Sequence, residues 1–245
     1  DRDRVTGAKG GGQARVHGPS PPVAAHHVER VRLRHMTRRA ICFDLDGTLV
    51  DSLPDIIGSI AAAMVEHGLP DPGDAPVRAL VGLPLQDMFT ALAPEGDVAA
   101  LAASYRRIYP ARFTQRSTPF VDTVEVLEAL RAKGYLLAVT TTKRSEMARD
   151  LVAALGLADH LDHVQGTDGF PAKPAPDVIE RALAALDAEG TWMVDDTTHD
   201  VHAGAAAGLQ TYAVCRPEAT HDRAMLASAH PDRLEESLLP LLELV

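Results

Sequence analysis

Short apolar runs rich in β-branched residues alternate with Ala- and Leu-rich segments through most of the chain, and this alternation limits the possible folds most. The runs are AICFDL, LLAVTTT, TWMVDD and TYAVC, and a further strand is predicted at HLDHVQGTD. Between them lie helical segments with the sequences VEVLEALRAKG, EMARDLVAALG and DVIERALAALD. Strands that alternate with helices favour a parallel sheet with helices on both faces. We therefore predict an α/β fold with a doubly wound, Rossmann-like parallel sheet.

The segment from residue 52 to residue 118 breaks this alternation. It contains DIIGSIAAAMVEHG, LQDMFTALA and DVAALAASYRRIYPARF, which all have helical character, and no convincing strand lies among them. Catalytic groups in open α/β sheets lie beyond the carboxyl ends of the strands, so an insertion at this point would cover a site there. We therefore predict a core formed by residues 36–51 and 119–245, and an all-helical cap formed by residues 52–118.

The net charge of −10 is unevenly distributed along the chain. Residues 1–39 carry nine Lys and Arg against three Asp and Glu, a net of +6, which leaves −16 for residues 40–245. This acidic body is expected to repel nucleic acid and anionic membranes. Residues 1–35 are rich in Gly, Pro and Arg, a composition that cannot bury a core. We predict that they are a disordered leader, or sequence upstream of a start at Met36.

Hydrophobic patterning and cysteine content bear on the cellular compartment of the protein. No stretch approaches the roughly 20 consecutive apolar residues that a membrane helix needs, and the first segment lacks the apolar centre of a secretory signal. The chain has two cysteines, Cys42 and Cys215, and both lie in apolar runs, so a disulfide framework is not expected. These features predict a cytoplasmic protein.

Polar clusters follow the ends of the predicted strands. Asp44 and Asp46 interrupt the first apolar run near its end, although a carboxylate costs several kcal/mol to bury unless something pairs it. Three more clusters follow later strands, at Thr140–Lys143, at Lys173 and at Asp195–Asp200. Because the carboxyl ends of parallel strands share one edge of the sheet, these side chains are expected to converge. Clustered carboxylates favour Mg²⁺ over zinc.

Four motifs in the chain resemble those of the haloacid dehalogenase (HAD) superfamily. They are DLDGTLVDS, VTTTK, KPAPD and DDTTHD, in this order and spacing. The resemblance extends from about Arg39 to the C-terminal region. The helical insertion directly after the first motif resembles the cap of the subfamily that contains phosphoglycolate phosphatase and β-phosphoglucomutase. This resemblance implies a HAD core with an inserted helical cap, and an enzyme that uses Mg²⁺.

The resemblance implies catalytic roles for four residues. Asp44 is expected to be the nucleophile that forms an aspartyl-phosphate, since a carboxylate is already ionised at neutral pH. Asp46 is expected to protonate the leaving alkoxide and then to activate the hydrolytic water. Thr141 corresponds to the phosphate-binding Ser or Thr of the family, and Lys173 to the lysine that neutralises the nucleophile and the phosphate.

The same resemblance implies a magnesium site. Its expected ligands are Asp44, the backbone carbonyl of Asp46, and Asp196, with Asp200 orienting the water shell of the metal. The fourth motif usually reads Gly-Asp-Ser, whereas this chain has Asp195 in place of the glycine. Either carboxylate of the pair is therefore a possible ligand. Neighbouring strand residues point to opposite faces, so the two do not face the metal equally, and we favour Asp196.

The residues expected to contact the substrate come from three loops. Gly47 and Thr48 belong to the loop whose backbone N–H groups can face phosphate oxygens. Thr142 and Lys143 belong to a motif that commonly reads Thr-Asn-Lys, so Thr142 removes an amide. Gly82 lies in VGLPLQDMF, which resembles the loop by which capped phosphatases sense substrate, but a simple helix–loop–helix turn fits it equally well.

The predicted function is Mg²⁺-dependent hydrolysis of a small phosphorylated metabolite, with 2-phosphoglycolate or a small sugar phosphate as the expected substrate. A sugar phosphomutase is the first alternative, but mutase relatives carry an arginine in the cap loop where this chain has Gln86. A non-catalytic HAD-fold protein with a binding or regulatory role is the second, and the intact set of motif residues argues against it. Monomer and homodimer both fit the sequence, and neither nucleic acid nor membrane is an expected partner.

Overall fold

Strand β1 (Arg39–Phe43) is buried from Ala40 onward and lies in the middle of a parallel sheet. The structure, a computed structural model, describes residues 38–217 and 220–245, all within one unit, Met36–Val245. The predicted leader, residues 1–35, lies outside the described residues. Alternate β1 side chains point to opposite faces of the sheet. Ile41 and Phe43 pack into one apolar cluster, whereas Ala40 and Cys42 pack into another.

A helical segment interrupts the chain after β1. The chain enters it through β2 (Val50–Asp51) and returns through β3 (Thr118–Pro119), and these two short strands form an antiparallel pair. We call residues 52–118 the helical insertion. It contains α1 (Leu53–Glu66), α2 (Asp74–Arg78), α3 (Leu85–Leu92), α4 (Val98–Ile108) and a 3₁₀ turn, Tyr109–Ala111. The predicted boundaries fall at the β2–β3 pair, and the division into core and cap stays a prediction.

Aromatic side chains form much of the core of the helical insertion. The ring of Tyr105 meets that of Phe89 edge-on at 6.4 Å between centroids and stacks on Tyr109 at 5.1 Å. Such rings bury large apolar areas, which explains why this segment packs without a sheet. Buried Asp55, on α1, accepts hydrogen bonds from the Ser117 N–H and hydroxyl, both at 2.8 Å. These bonds fix the returning end of the insertion against its first helix.

The main sheet is completed by five later strands. They are β4 (Leu136–Thr141), β5 (His163–Gly166), β6 (Glu189–Asp195), β7 (Gln210–Val214) and β8 (Arg233–Glu235). The sheet order is β5-β4-β1-β6-β7-β8, and all neighbouring pairs are parallel. The chain therefore builds outward from β1 to one side and then crosses to the other. This topology confirms the predicted doubly wound parallel sheet and the additional strand at HLDHVQGTD.

Helices cover both faces of the main sheet. They are α5 (Thr123–Ala132), α6 (Ser145–Ala154), α7 (Asp177–Leu186), α8 (Thr198–Ala206) and α9 (Arg223–Ser228). Leu127 of α5 and Leu151 of α6 pack in the cluster of Ile41, whereas Ile179 of α7 and Ala203 of α8 pack in the cluster of Cys42. None of the helices in the described part of the chain combines the length and apolar character needed to cross a lipid bilayer.

Candidate active site

Residues at the ends of three neighbouring strands meet at one edge of the sheet. Asp44 follows β1, Thr141 ends β4, and Asp196 follows β6, and β1 pairs with both of the other strands. The Asp44 N–H donates to the Val194 carbonyl oxygen at 2.9 Å, which fixes the start of the loop after β1. The expected convergence at the carboxyl ends of the strands is therefore present in the structure.

Lys173 lies buried among the carboxylates at this edge. Its Nζ donates to Asp44 Oδ1 at 2.5 Å and to the Thr140 carbonyl oxygen at 3.0 Å, and it forms an ion pair with Asp200. Burial alone would lower the pKa of Lys173, but the charges of Asp200 and Asp44 outweigh burial and raise the pKa above its usual value. Lys173 therefore stays protonated and neutralises part of the negative charge around it.

Asp44 is nearly enclosed, with 7% of its surface exposed. Burial raises the pKa of Asp44 to about 7, although the charge of Lys173 acts to lower it. The neighbouring carboxylates of Asp200 and Asp46 contribute to this rise. One lysine therefore does not compensate the carboxylates gathered here, and an additional cation beside Asp44 would restore its ionised form.

Asp46 differs from Asp44 because it lies in the wall of an open cleft. Its Oδ1 accepts a hydrogen bond from Ser52 Oγ, and its Oδ2 accepts one from Lys143 Nζ at 2.5 Å. The same Nζ lies 5.1 Å from the centroid of the Tyr109 ring, so Lys143 connects Asp46 to the helical insertion. Two donors thus hold the Asp46 carboxylate in one orientation, as proton transfer at a defined position requires.

The loop after Asp44 requires glycine at position 47. Gly47 has φ of 89°, in the left-handed region, and a Cβ at this position would overlap the Asp196 carboxylate. Next to it, Thr48 Oγ1 donates to Asp196 Oδ1 at 2.9 Å. The Gly47 N–H donates to the Val50 carbonyl oxygen at 2.8 Å, so this amide does not face a phosphate site in the described geometry. The substrate-binding role of Thr48 stays a prediction.

Asp195 and Asp196 are both buried, but their surroundings differ. Asp195 is the last residue of β6, and both of its carboxylate oxygens lack a hydrogen bond within residues 38–217 and 220–245. Asp196 accepts the bond from Thr48, and only its Oδ2 is without a partner there. Burial raises the pKa of both carboxyls well above the ordinary value. Because Asp196 contacts the loop that follows Asp44, its free oxygen is the better placed to share a cation with Asp44.

Helix α8 begins beside this pair. Thr197 precedes the helix, and its Oγ1 accepts the Asp200 N–H at 3.4 Å and donates to Asp200 Oδ2. Gly82 of the helical insertion approaches the same threonine, since a Cβ on Gly82 would lie 3.1 Å from Thr197 Cγ2. The predicted substrate-sensing loop therefore touches the fourth motif. Asp200 pairs with Lys173, and its role in a metal's water shell stays a prediction.

The second motif lies at the end of β4. Thr141 is fully buried, its Oγ1 accepts the Lys143 N–H at 3.3 Å, and its carbonyl oxygen accepts the hydroxyl of Thr167 at 3.0 Å. Thr142 and Lys143 line the cleft, as does Gly82 from the insertion. Three of the residues predicted to contact substrate therefore face the same space.

The carboxylates at the sheet edge suit a hard divalent cation. Within the described residues, no group of three or more His, Cys, Asp or Glu side chains is arranged to hold a metal ion by itself. Magnesium does not need such a group, because one or two carboxylates suffice when water and substrate phosphate complete its shell. The Asp196 Oδ2 is buried without a hydrogen bond in this part of the chain, and a cation there would satisfy it. The residues present therefore fit Mg²⁺.

Sequence analysis missed two supports of the site. Ser52 lies within the first motif, yet its contact with Asp46 was not expected. The second is Arg216, which is buried and whose Nη2 donates to the Thr48 carbonyl oxygen at 3.0 Å and to Asp122 Oδ1 at 2.9 Å. The available signal for Arg216 was its position just beyond the end of β7, at the same edge of the sheet as the motifs.

Comparison with known proteins identifies the family. The model of the family described as haloacid dehalogenase-like hydrolase matches residues 41–214, a range that includes every motif residue from Asp44 to Asp200. The chain belongs to this family. The predicted family is therefore confirmed.

Individual relatives share both sequence and fold with the chain. Pyrophosphatase PpaX of Halalkalibacterium halodurans is 32% identical over 213 residues, which cover 86% of this chain and 98% of that protein. A phosphoglycolate phosphatase of Caulobacter vibrioides is 33% identical over 187 residues, or 72% of this chain and 79% of that protein. A HAD-like family hydrolase from Streptococcus pneumoniae has a solved structure that is 28% identical, with a TM-score of 0.75 and coverage of 84% and 98%. The predicted enzyme class, a HAD-type phosphatase, is confirmed by these relatives.

Proposed function

We propose that the chain hydrolyses a phosphomonoester of a small metabolite through an aspartyl-phosphate on Asp44, with Mg²⁺ as cofactor. The observation that carries this proposal is the different placement of two carboxylates only two residues apart. Asp44 is buried against Lys173, whereas Asp46 lies in the cleft wall between Ser52 and Lys143. This difference supports attack on phosphorus by Asp44 and proton transfer by Asp46.

In the first step, an Asp44 oxygen attacks phosphorus and the bond from phosphorus to the leaving-group oxygen breaks. Lys173 holds Asp44 and offsets the negative charge that the phosphoryl group adds. Asp46, in its protonated form, gives its proton to the leaving oxygen. Lys143 and Ser52 orient the Asp46 carboxyl toward the cleft, where the leaving group lies.

In the second step, water attacks the phosphorus of the aspartyl-phosphate. Asp46 is now a carboxylate and accepts a proton from that water, so the phosphate leaves and the Asp44 carboxylate returns. Thr141 ends β4, the strand beside β1, and Thr141 and Thr142 are proposed to contact the phosphate. Asp46 acts first as an acid and then as a base, so it must reach both the leaving group and the attacking water. This requirement fits its position in the cleft wall, whereas Asp44 is enclosed.

The magnesium ion would be held by Asp44, the backbone carbonyl of Asp46, and Asp196, with Asp200 near its water shell. When bound, Mg²⁺ neutralises charge that develops on the transferred phosphoryl group. The support for this site comes from two observations within the described residues. The Asp196 Oδ2 is buried without a hydrogen bond, and burial together with the neighbouring carboxylates raises the pKa of Asp44 to about 7 against the opposing charge of Lys173.

The substrate class follows from the relatives only in part. One relative is named a phosphoglycolate phosphatase and another a pyrophosphatase, so the family allows different phosphate compounds. We propose a small phosphorylated metabolite, with 2-phosphoglycolate and sugar phosphates as the first compounds to test.

The proposal is tested by phosphate release with Mg²⁺ from 2-phosphoglycolate, sugar phosphates, nucleoside monophosphates and pyrophosphate. Asp44→Asn should reduce release by at least about 10⁴-fold, because it removes the nucleophile. Rapid acid quench of the wild-type protein with ³²P-labelled substrate should trap protein-bound label that hydroxylamine removes, and Asp44→Asn should trap none. Release by Asp44→Asn at the wild-type rate would contradict the mechanism.

A further inference from the structure

The cleft that Asp46 lines lies on the side of the site where the leaving group would depart. Its wall contains Asp46, the proposed acid, together with Thr142 and Lys143, whereas Asp44 is not part of the wall. The phosphoryl group must reach Asp44, so the space beyond Asp46 receives the rest of the substrate. This space has a volume of about 610 Å³.

The volume is large for the smallest substrate of the proposed class. It would hold about 20 water molecules at about 30 Å³ each. It also falls within the range of roughly 300–1,000 Å³ of pockets that enclose drug-sized ligands. Glycolate, a two-carbon acid, would leave most of this volume filled with water. A larger leaving group would displace that water and gain contacts with the walls.

Apolar side chains from two parts of the chain form much of the cleft wall. Leu83, Leu85 and Met88 come from the helical insertion, and Met147 and Phe170 come from the core. All except Met88 are partly exposed, so an apolar group bound between them would cover surface that now faces water. Methionine side chains also adapt their shape to what they contact.

The ring of Phe170 is held in place from outside the cleft. The guanidinium of Arg181 lies 4.3 Å from the ring centroid, and the ring packs against the apolar cluster beneath α7. A ring that is already fixed loses little conformational entropy when a ligand packs against it. Phe170 is therefore a preformed apolar contact surface.

The cations around the cleft are not equivalent. Lys143 is committed to Asp46 at 2.5 Å, and Arg144 lies 3.9 Å from Asp168. Arg106, on α4, also lines the cleft but has no hydrogen bond or ion pair with any residue in the described ranges. Its neighbour Arg107 points elsewhere and pairs with Glu66. Arg106 is thus the wall cation that remains available for an anionic group of a ligand.

From these contacts we infer that the substrate is a phosphomonoester whose leaving group combines an apolar chain or ring with a second anionic group that Arg106 binds. This inference rests on the proposed phosphatase function and narrows its substrate class. It makes 2-phosphoglycolate a poor substrate, because glycolate places its carboxylate next to the scissile bond and has almost no apolar surface.

The apolar part is tested with ethyl, butyl and hexyl phosphate. These esters share nearly the same leaving-group chemistry, so differences in kcat/KM report binding of the chain. A fully buried methylene is worth about 4-fold in binding, from about 0.8 kcal/mol. We expect kcat/KM to rise by at least about 10-fold from ethyl to hexyl phosphate, since burial in the cleft is partial.

The anionic part is tested by comparing hexyl phosphate with 6-phosphooxyhexanoate, in which a carboxylate replaces the terminal methyl group. A charge-assisted hydrogen bond should favour the carboxylate compound by about 10-fold in kcat/KM. Arg106→Gln should abolish this preference, whereas the matched variant Arg107→Gln should retain it. Thermal melting of both variants establishes that they are folded.

The outcomes separate the two proposals. Phosphate release that is flat or falls with chain length, or that is fastest with 2-phosphoglycolate, leaves the phosphatase proposal intact and overturns the apolar leaving group. A carboxylate preference that is absent, or that both variants lose equally, overturns the role of Arg106. Release from none of the phosphomonoesters overturns the proposed function and this inference with it.

Discussion

The cluster around Lys173 and the wall of the cleft are built from different interactions. In the cluster, one buried ammonium group contacts Asp44, Asp200 and the Thr140 carbonyl oxygen. In the wall, side chains such as Leu83 and Met147 are partly exposed and offer only apolar contact. Hydrogen bonds and ion pairs impose distances and angles, whereas apolar contact is non-directional. The reacting groups therefore tolerate little displacement, whereas the wall can accept changes of shape.

The largest effect is expected from removing the support behind the cluster. Arg216→Leu leaves the buried Asp122 carboxylate without its partner charge and frees the Thr48 carbonyl oxygen. The free energy of unfolding should fall by about 3–5 kcal/mol, measured by urea denaturation. The double variant with Asp122→Asn should recover much of this loss. A change below about 1 kcal/mol in the single variant would show that the pair does not support the site.

A second change tests how tightly the cluster is packed. Gly47→Ala and Gly134→Ala both place a side chain at positive φ, 89° and 85°, but only at Gly47 would the new Cβ meet Asp196. Both variants should lose about 1 kcal/mol or somewhat more from backbone strain, and Gly47→Ala should lose additional stability because its Cβ overlaps Asp196. Gly47→Ala should in addition lose about 10²-fold or more in kcat/KM. Equal activity of the two variants would contradict the importance of this close approach.

Lys143 lies where the two regions meet, because it contacts both Asp46 and the ring of Tyr109. Lys143→Met should slow hydrolysis of an alkyl phosphate by about 10–100-fold, since Asp46 loses a donor that orients its carboxyl group. p-Nitrophenyl phosphate should be slowed less than about 3-fold, because its leaving group needs little protonation. Lys143→Arg serves as the charge-conserving control. Equal slowing of both substrates would indicate a general structural defect.

The smallest effect is expected at His221, outside both regions. Its Nδ1 accepts the Thr198 N–H at 3.0 Å beside the start of α8. Burial, with a contribution from nearby His199, lowers the pKa of His221. The folded state therefore binds the proton less well than the unfolded state. The contribution of neutral His221 to the free energy of unfolding is fully present above about pH 6.5, the pKa of histidine in the unfolded chain. It decreases as the pH falls from there through the lower pKa of the folded state.

His221→Asn keeps an acceptor for Thr198 but removes the titration. The loss of melting temperature between about pH 7.5 and about pH 5.5 should therefore be smaller in the variant, by an amount equivalent to less than about 1 kcal/mol. An identical loss in both proteins would rule out His221 as a contributor to acid sensitivity.

Four of the five strands that the sequence predicted are largely buried, and the fifth, β5, is only partly buried. β1, β4, β6 and β7 have helices on both faces of the sheet and therefore appear as continuous apolar runs. The edge strand β8 has three residues, Arg-Leu-Glu, and gives no such run. Helix α2 has five residues and includes Pro76, so its local sequence favours a turn as much as a helix. Both elements depend on their surroundings rather than on their own pattern.

Some contacts of the candidate site could be predicted from local sequence patterns, and others could not. Asp44, Thr141 and Asp196 could be placed together because each stands at the end of a predicted strand, and parallel strands end at one edge. The contact of Lys143 with Asp46 and that of Arg216 with Thr48 join residues 97 and 168 positions apart. Such contacts depend on the conformations of long side chains and on the packing of loops, which no local pattern encodes.

The antiparallel pair of β2 and β3 has a consequence for how enzymes of this build can diversify. Val50 lies opposite Pro119 and Asp51 opposite Thr118, so the chain departs and returns at adjacent backbone positions. Neighbouring strands lie about 4.8 Å apart, and the entropy of closing a loop rises only slowly with its length. A different helical segment can therefore be grafted between these two points without moving the strand ends. Exchange of this segment would change the part of the cleft wall that it contributes, while the groups at the edge of the sheet would keep their positions.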